Sequence, residues 1–164
     1  MDKGVETNNN ESITTSCSID DILKSLSWNN PCDVIFEGLK IAKSVKCLKA
    51  FFQPICSEYG KDTWENCAIV ICERRDDELE FYIEDMIYWM QDINWPGALQ
   101  ITNRLLKMEN VTLLASVIDT IVPALNFIGE EQWLINLGQL LSNQTLCKSL
   151  KCNTVLILRE YCDD

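Results

Sequence analysis

Residues 89–98, near the middle of the chain, constrain the fold most strongly. Before them, six apolar residues recur at steps of three and four over residues 79–90, the pattern of one buried helix face. Pro96 lacks a backbone N–H and has a preset φ angle, so we predict that it lies in the first turn of a second helix, with Asn94 or Trp95 as the cap. The glycine and alanine that follow leave room for another helix to pack closely over that start. These residues therefore predict a tight corner between two antiparallel helices.

The corner also resembles a known bacterial family of small, uncharacterised helical-repeat domains, whose members occur among the immunity proteins of polymorphic and contact-dependent toxins. Two other stretches resemble the same family: residues 26–31, which contain Trp28 and Pro31, and residues 64–68, which begin at Trp64. The resemblance spans residues 20–107 and implies a helical-repeat fold and a protein that neutralises a toxin by binding it. The corner residues that carry it are Trp89, Asp92, Asn94, Trp95, Pro96, Gly97 and Ala98.

Charge indicates what kind of partner the protein can bind. The 164 residues carry a formal net charge of −11, which disfavours direct binding to nucleic acid or to an anionic membrane surface. A basic protein is the natural partner, since opposite charges speed encounter and suppress wrong partners. The alternative is that the acidity serves solubility alone.

The types of residue present argue against catalysis and against a bound cofactor. The chain has no histidine, which excludes a Ser-His-Asp or Cys-His site, and its glycines form no phosphate-binding loop. The nine cysteines include no Cys-x-x-Cys pair, so we expect neither a metal site nor a disulfide framework. No export signal and no stretch of roughly 20 uninterrupted apolar residues is visible. We therefore predict a non-enzymatic protein with free thiols, no cofactor, and a cytoplasmic location.

The chain as a whole predicts an all-α protein. Residues 1–18 are polar and predict a disordered or weakly ordered tail, and residues 19–164 predict one helical domain of eight or nine helices. Short connections indicate antiparallel helical hairpins stacked in a HEAT- or armadillo-like array, with a compact irregular helical bundle as the alternative. A strongly apolar segment after Asn110 should lie centrally in the core and be kinked or divided at Pro123.

Residue types also predict where individual helices begin and end. We expect helix caps from Ser18 or Asp20, from Asn30 before Pro31, and from Asn110; a helix end at Pro54; and capping boxes formed by Asp62 with Glu65 and by Asp77 with Glu80.

The acidic helix before the corner is the candidate binding surface. Its carboxylates lie opposite the apolar stripe that contains Leu79, Ile83 and Met86, and two aromatic residues fall among them. Exposed aromatic rings ringed by carboxylates suit the binding of a basic partner, whereas the alternative is that a neighbouring helix covers both rings. The candidate partner-binding residues are Asp77, Glu78, Glu80, Phe81, Glu84, Asp85 and Tyr88.

Two functions follow from these features. The leading hypothesis is an immunity protein that binds and neutralises a cognate bacterial toxin, a basic nuclease, in the cytosol. The alternative is a helical-repeat scaffold or adaptor that binds another protein or a peptide along a concave face.

Overall fold

A computed structural model of the chain describes residues 17–56 and 58–162. Over these residues the protein is all-α and contains no β-strand, which confirms the predicted fold class. The HEAT- or armadillo-like stacking is not confirmed and stays a prediction. Residues 1–16 of the predicted polar tail lie outside the described residues.

Eleven α-helices and three short 3-10 turns make up the described part of the chain. The α-helices are α1 Ile19–Ser25, α2 Cys32–Ala42, α3 Gln53–Cys56, α4 Trp64–Cys72, α5 Asp76–Leu79, α6 Ile83–Trp89, α7 Ala98–Leu106, α8 Val111–Ile128, α9 Glu131–Gly138, α10 Gln144–Ser149 and α11 Cys152–Glu160. The 3-10 turns are Lys49–Phe51, Glu80–Tyr82 and Gln139–Ser142.

The helices pack around one continuous apolar core. Helix α1 lies against α2, and α7 is contacted by both α4 and α6. Helix α8 is contacted by α9, α10 and α11 and also touches α6. Buried residues from α1 to α11 belong to a single cluster, so the α6–α7 corner joins the N-terminal helices to the group around α8.

Two predicted helix caps are confirmed. The Ser18 side chain accepts a hydrogen bond from the Asp21 N–H and caps α1. Asn110 accepts a hydrogen bond from the Leu113 N–H at 3.2 Å and caps α8. Gly129, in the left-handed region at φ +79°, ends the same helix.

The predicted cap at Asn30 is wrong. Its side-chain amide donates to the backbone oxygens of Lys24 and Ser25, at 2.8 and 3.2 Å, so it closes the end of α1 instead of opening α2. Helix α2 begins directly after Pro31, which precedes its first turn, and has no side-chain cap. An amide carries two donors, and the free carbonyls of the preceding helix are within their reach.

The helix end at Pro54 and the first capping box are also wrong. Pro54 lies inside the short helix α3, near its N-terminus, where a missing N–H breaks no intrahelical hydrogen bond. Asp62 accepts from the hydroxyl of Ser27, and Glu65 accepts from Gln100 at 3.2 Å. Both carboxylates thus bind distant parts of the chain and leave α4 without a side-chain cap.

Helix α8 runs through Pro123 and is not divided there, while the alternative that Pro123 kinks it stays a prediction. Only one side of α8 is buried, which departs from the prediction of a centrally buried segment: Phe127 and Ile128 are 90% and 65% exposed. By length and composition α8 would suffice to cross a membrane, although core helices of soluble proteins meet the same criterion, and 28% of it is buried. The expectation of no membrane partner stays a prediction.

Candidate functional site

The corner before α7 is built from hydrogen bonds within the chain turn. Asp92 accepts from the Asn94 N–H at 2.9 Å through its side chain and from the Trp95 N–H at 3.0 Å through its backbone. Gly97, at φ +85°, takes the cap position of α7, so the prediction that Pro96 lies in the first turn with Asn94 or Trp95 as cap is wrong. The physical reason is that Asn94 and Trp95 belong to the hydrogen-bonded turn at Asp92, so the helix can start only after them.

The predicted close approach of a helix at Gly97 is confirmed. A Cβ atom added there would lie 2.4 Å from the Ala68 Cβ and 3.3 Å from the Trp64 backbone oxygen, both on α4. Trp89 is fully buried beside this contact, and its indole N–H donates to the Pro96 oxygen at 3.1 Å. The corner therefore holds α4, α6 and α7 together.

The tryptophans at the corner pack edge to face. The Trp64 ring lies 6.4 Å from that of Trp89 and 5.5 Å from that of Trp95, at angles of 80° and 82°. The Lys61 Nζ lies 5.5 Å from the Trp64 ring and 5.8 Å from the Trp95 ring. Core packing is thus the role of Trp64 and Trp89, whereas Trp95 is half-buried and Trp28, at the other matching stretch, is 49% exposed.

The candidate acidic surface is broken where one continuous helix was expected. Helix α5, the 3-10 turn Glu80–Tyr82 and α6 follow one another, while the apolar stripe of Leu79, Ile83 and Met86 is fully buried as predicted. The second predicted capping box, of Asp77 with Glu80, is wrong: Glu78 accepts from the Arg75 N–H at 3.2 Å, so the observed pair lies two residues earlier in the chain. Helix α5 therefore starts at residue 76 and ends within one turn.

The two aromatic residues of this surface lie in different environments. Phe81 is 89% exposed, so the described helices leave it uncovered. Tyr88 is 36% exposed and packs edge to face on Trp133 of α9, with ring centroids 5.5 Å apart and planes at 88°. Of the two rings that a neighbouring helix was predicted, as the alternative, to cover, only Tyr88 is partly covered, by α9.

Carboxylates near α5 are bound within the chain. Asp77 accepts from the Arg75 guanidinium at 2.8 Å, and Glu78 lies 3.7 Å from the same side chain. Glu80 accepts from the Asn110 side-chain amide at 2.7 Å. These three candidate residues are therefore partly neutralised or used in holding α5 against the start of α8.

The carboxylates of α6 differ from those of α5. Among the described residues, Glu84 and Asp85 take part in no salt bridge. Partial burial raises the pKa of Asp85, the neighbouring negative charge of Glu84 raises it further, and Lys49 opposes the shift. The negative field of the candidate surface is thus concentrated at α6.

Asp76 is a structural residue that no sequence pattern indicates. It accepts from the Arg104 guanidinium of α7 and, at 2.6 Å, from the Glu109 N–H. Burial raises the pKa of the Asp76 carboxyl, but the hydrogen bonds from Arg104 and the Glu109 backbone outweigh it and hold that pKa below its ordinary value. Partners 28 and 33 residues away leave no local pattern by which they could be found.

An open cleft of about 970 Å³ lies between α5 and α7. Asp77 and Glu80 line it, together with Asn103 of α7 and Lys107. Cys72 also lines it, and burial raises the pKa of this thiol to about 11, so it is protonated at neutral pH. In the described part of the chain, no group of three or more acidic or cysteine side chains is placed to hold a metal ion.

Negative charge is distributed unevenly along the chain. Residues 76–147 contain eleven acidic side chains and only two basic ones, Arg104 and Lys107, a net charge of −9 out of −11. Helices α6 and α9, which carry Tyr88 and Trp133, contain no lysine or arginine. Phe81, Tyr88 and Trp133 therefore all lie in the most acidic segment of the chain.

Helix α9 binds the C-terminal end of α6 through two side-chain hydrogen bonds. The Trp133 indole N–H donates to the Ile87 oxygen at 3.1 Å, and the Asn136 amide donates to the Met90 oxygen at 2.9 Å. Each pair is 46 residues apart, so over this one turn the chain advances in the same direction along both helices. This pairing was not predicted, and it adds Trp133 to the candidate surface.

The fold and this surface define an all-α domain with a buried tryptophan corner and an acidic, partly aromatic face. Residues 60–156 match the family described as "Domain of unknown function (DUF5071)", so the chain belongs to that family. The match includes the corner and extends from the loop before α4 into α11, whereas the predicted resemblance spanned residues 20–107. An uncharacterised domain family is thus confirmed. No curated protein and no solved structure matches the chain.

Proposed function

We propose that this protein is an immunity protein, which binds a cognate bacterial toxin in the cytosol and neutralises it without catalysis. The observation that carries this proposal is the strongly acidic segment 76–147, from which the phenyl ring of Phe81 projects 89% exposed. The resemblance of the corner to domains found among toxin immunity proteins supports the same role. The toxin that suits this surface best is a basic nuclease.

Electrostatics explains how such a protein would inhibit. A nuclease needs clustered lysine and arginine residues to bind a phosphate backbone, and an acidic surface competes for those same residues. Opposite net charges speed the encounter, while an exposed aromatic ring that becomes buried on docking slows dissociation. A stable complex of this kind buries about 1,200–2,000 Å² in total. Inhibition then follows from occupying or covering the substrate groove.

The test is growth protection against the C-terminal domain of the protein encoded immediately upstream in the native host. Co-expression with the wild-type protein should restore growth, and the two purified proteins should form a complex. Phe81→Ala should weaken the complex by about 2 kcal/mol if the ring is a central anchor. Phe127→Ala is the matched control, because this phenyl ring is equally exposed, at 90%, but lies at the end of α8.

Failure of the wild-type protein to protect would overturn the immunity proposal. An unaltered complex with Phe81→Ala, or weakening by Phe127→Ala alone, would place the interface elsewhere than at Phe81. Circular dichroism of both variants should match the wild type, since neither ring belongs to the core.

A scaffold or adaptor is the second candidate function, and the cleft between α5 and α7 favours it. A peptide could lie in this open space of about 970 Å³, where acidic, basic and amide side chains all line the walls. Asn103→Trp would fill the cleft from an exposed position on α7. An adaptor that uses the cleft should lose its partner in this variant, whereas toxin protection through Phe81 should persist.

A further inference from the structure

We infer that the Tyr88–Trp133 ring pair is the contact point for a lysine or arginine side chain of the basic partner. The partner's identity as a toxin rests on the proposed function. The contact itself rests on the geometry of the two rings and on the charges around them.

The molecule already contains one ring pair of this geometry with a cation on it. Trp64 and Trp95 lie 5.5 Å apart at 82°, and the Lys61 Nζ lies within 6 Å of both rings. A cation at that distance from a ring face is attracted by the negative face of the π system. The Tyr88–Trp133 pair has the same separation, 5.5 Å, and nearly the same angle, 88°.

No lysine or arginine on α6 or α9 can serve the second pair, because neither helix contains one. Carboxylates do accompany it. Glu84 lies one helical turn before Tyr88 on α6, and Glu130, the residue just before α9, lies three residues before Trp133. The rings thus lie on a seam between α6 and α9 with carboxylates toward one end, a combination that suits a cationic side chain.

Charge also decides between possible occupants of the seam. A second copy of this chain would bring another net charge of −11 and the same acidic face, so the two surfaces would repel each other. Nucleic acid is repelled for the same reason. A basic protein is attracted, and Tyr, Trp and Arg are the residue types that dominate binding energy at protein interfaces. The occupant of the seam is therefore an exposed lysine or arginine of a basic protein.

A hexa-arginine peptide is the probe for the test, since it presents the cation without the toxin. In nuclear magnetic resonance titrations of the labelled protein, the Trp133 indole N–H and the backbone amides of α6 and α9 should shift together. Trp133→Phe identifies the indole signal and keeps an aromatic face. Tyr88→Leu should weaken peptide binding roughly two- to five-fold, the effect of losing one exposed cation–π contact.

A charge-matched pair of double variants controls for the general attraction between acid and base. Glu84→Gln with Glu130→Gln removes two charges at the seam, and Asp33→Asn with Glu160→Gln removes two exposed charges elsewhere. The seam variant should weaken binding more than the control. Shifts centred on Trp28, the most exposed tryptophan, or equal weakening by both double variants, would overturn the contact.

This outcome and that of the growth assay are separable. If the peptide titration fails while the wild-type protein still protects against the toxin, only the ring contact is refuted. If protection fails while the peptide shifts the seam, only the immunity proposal is refuted. Unfolding of the Tyr88→Leu variant, seen by circular dichroism, would show that the ring is part of the core and would refute the contact as well.

Discussion

Gly97→Ala should destabilise the protein severely because two separate costs meet at this residue. The first is conformational: Gly97 has φ +85°, a region that residues with a Cβ atom rarely adopt. The second is steric: the new Cβ would lie 2.4 Å from the Ala68 Cβ and 3.3 Å from the Trp64 backbone oxygen. Neither neighbour is the end of a flexible side chain, so α4 and α7 would have to move apart.

Gly129 provides the control that separates the two costs. It has a similar φ of +79°, but a Cβ added there meets nothing within 4 Å. Gly129→Ala should therefore cost only the conformational term, about 1–2 kcal/mol. Gly97→Ala adds the cost of overpacking, about 1–3 kcal/mol, so the total should reach about 2–5 kcal/mol.

Urea unfolding followed by far-ultraviolet circular dichroism and by tryptophan fluorescence measures both variants. Ala68→Gly should partly rescue Gly97→Ala, because it removes the colliding atom, and the double-mutant cycle should give a coupling energy of about 0.5–3 kcal/mol. Equal losses of stability in Gly97→Ala and Gly129→Ala, with no coupling to residue 68, would refute the close approach of α4 to the start of α7.

Four further predictions concern stability, pH, thiols and binding. Trp95→Ala should cost about 3–5 kcal/mol, at the lower end because the ring is half-buried, and an unchanged denaturation midpoint would show that the ring packs on nothing. Asp76→Asn should destabilise the protein at neutral pH. The pKa of Asp76 is lower in the native protein than in the unfolded chain. The stability that the ionised Asp76 carboxyl contributes is therefore present above the unfolded pKa and is lost as pH falls through the native pKa. The urea midpoints of the wild type and of Asp76→Asn should converge on acidification. Cys67, whose pKa burial raises to about 12, should react with a thiol reagent only after unfolding, when most of the nine thiols should react without reductant; four protected disulfides would contradict the cytosolic proposal. With the cognate toxin, Glu84→Lys should mainly slow association and reduce its salt dependence, whereas Tyr88→Ala should mainly speed dissociation, and unaltered kinetics in both would move the interface elsewhere.

Features that depend on the type and spacing of neighbouring residues could be predicted from the sequence. The stripe of Leu79, Ile83 and Met86 is buried because apolar residues at helical spacing lie on one face, which is buried when that face packs against the core. Gly97 was expected to admit a close neighbour, and Ala68 lies there. The caps at Ser18 and Asn110 followed from the same local logic.

Features that depend on distant partners could not be predicted. Asp62 and Glu65 fit a capping box by spacing, yet both carboxylates bind residues 35 positions away. The hydrogen bond from Trp133 to Ile87 joins residues 46 apart, so no local pattern shows that α9 covers Tyr88. Polar side chains choose between local and tertiary partners that differ little in free energy, and only packing decides the choice.

Binding and stability can be separated at Phe81 but not at Trp133, and this difference follows from where each ring is attached. Phe81 projects from a 3-10 turn whose neighbours Leu79 and Ile83 are buried, so the turn holds its shape when the exposed ring is removed. Trp133 instead donates to the Ile87 oxygen and supports Tyr88, so its removal loosens α9 from α6 as well as removing a ring face. A loss of toxin binding in Phe81→Ala with unchanged stability would therefore report contact directly. A loss in Trp133→Ala would report contact only after its unfolding free energy had been measured. The seam is therefore tested at Tyr88, because Tyr88→Leu removes one ring and leaves the hydrogen bond from Trp133 to Ile87 in place.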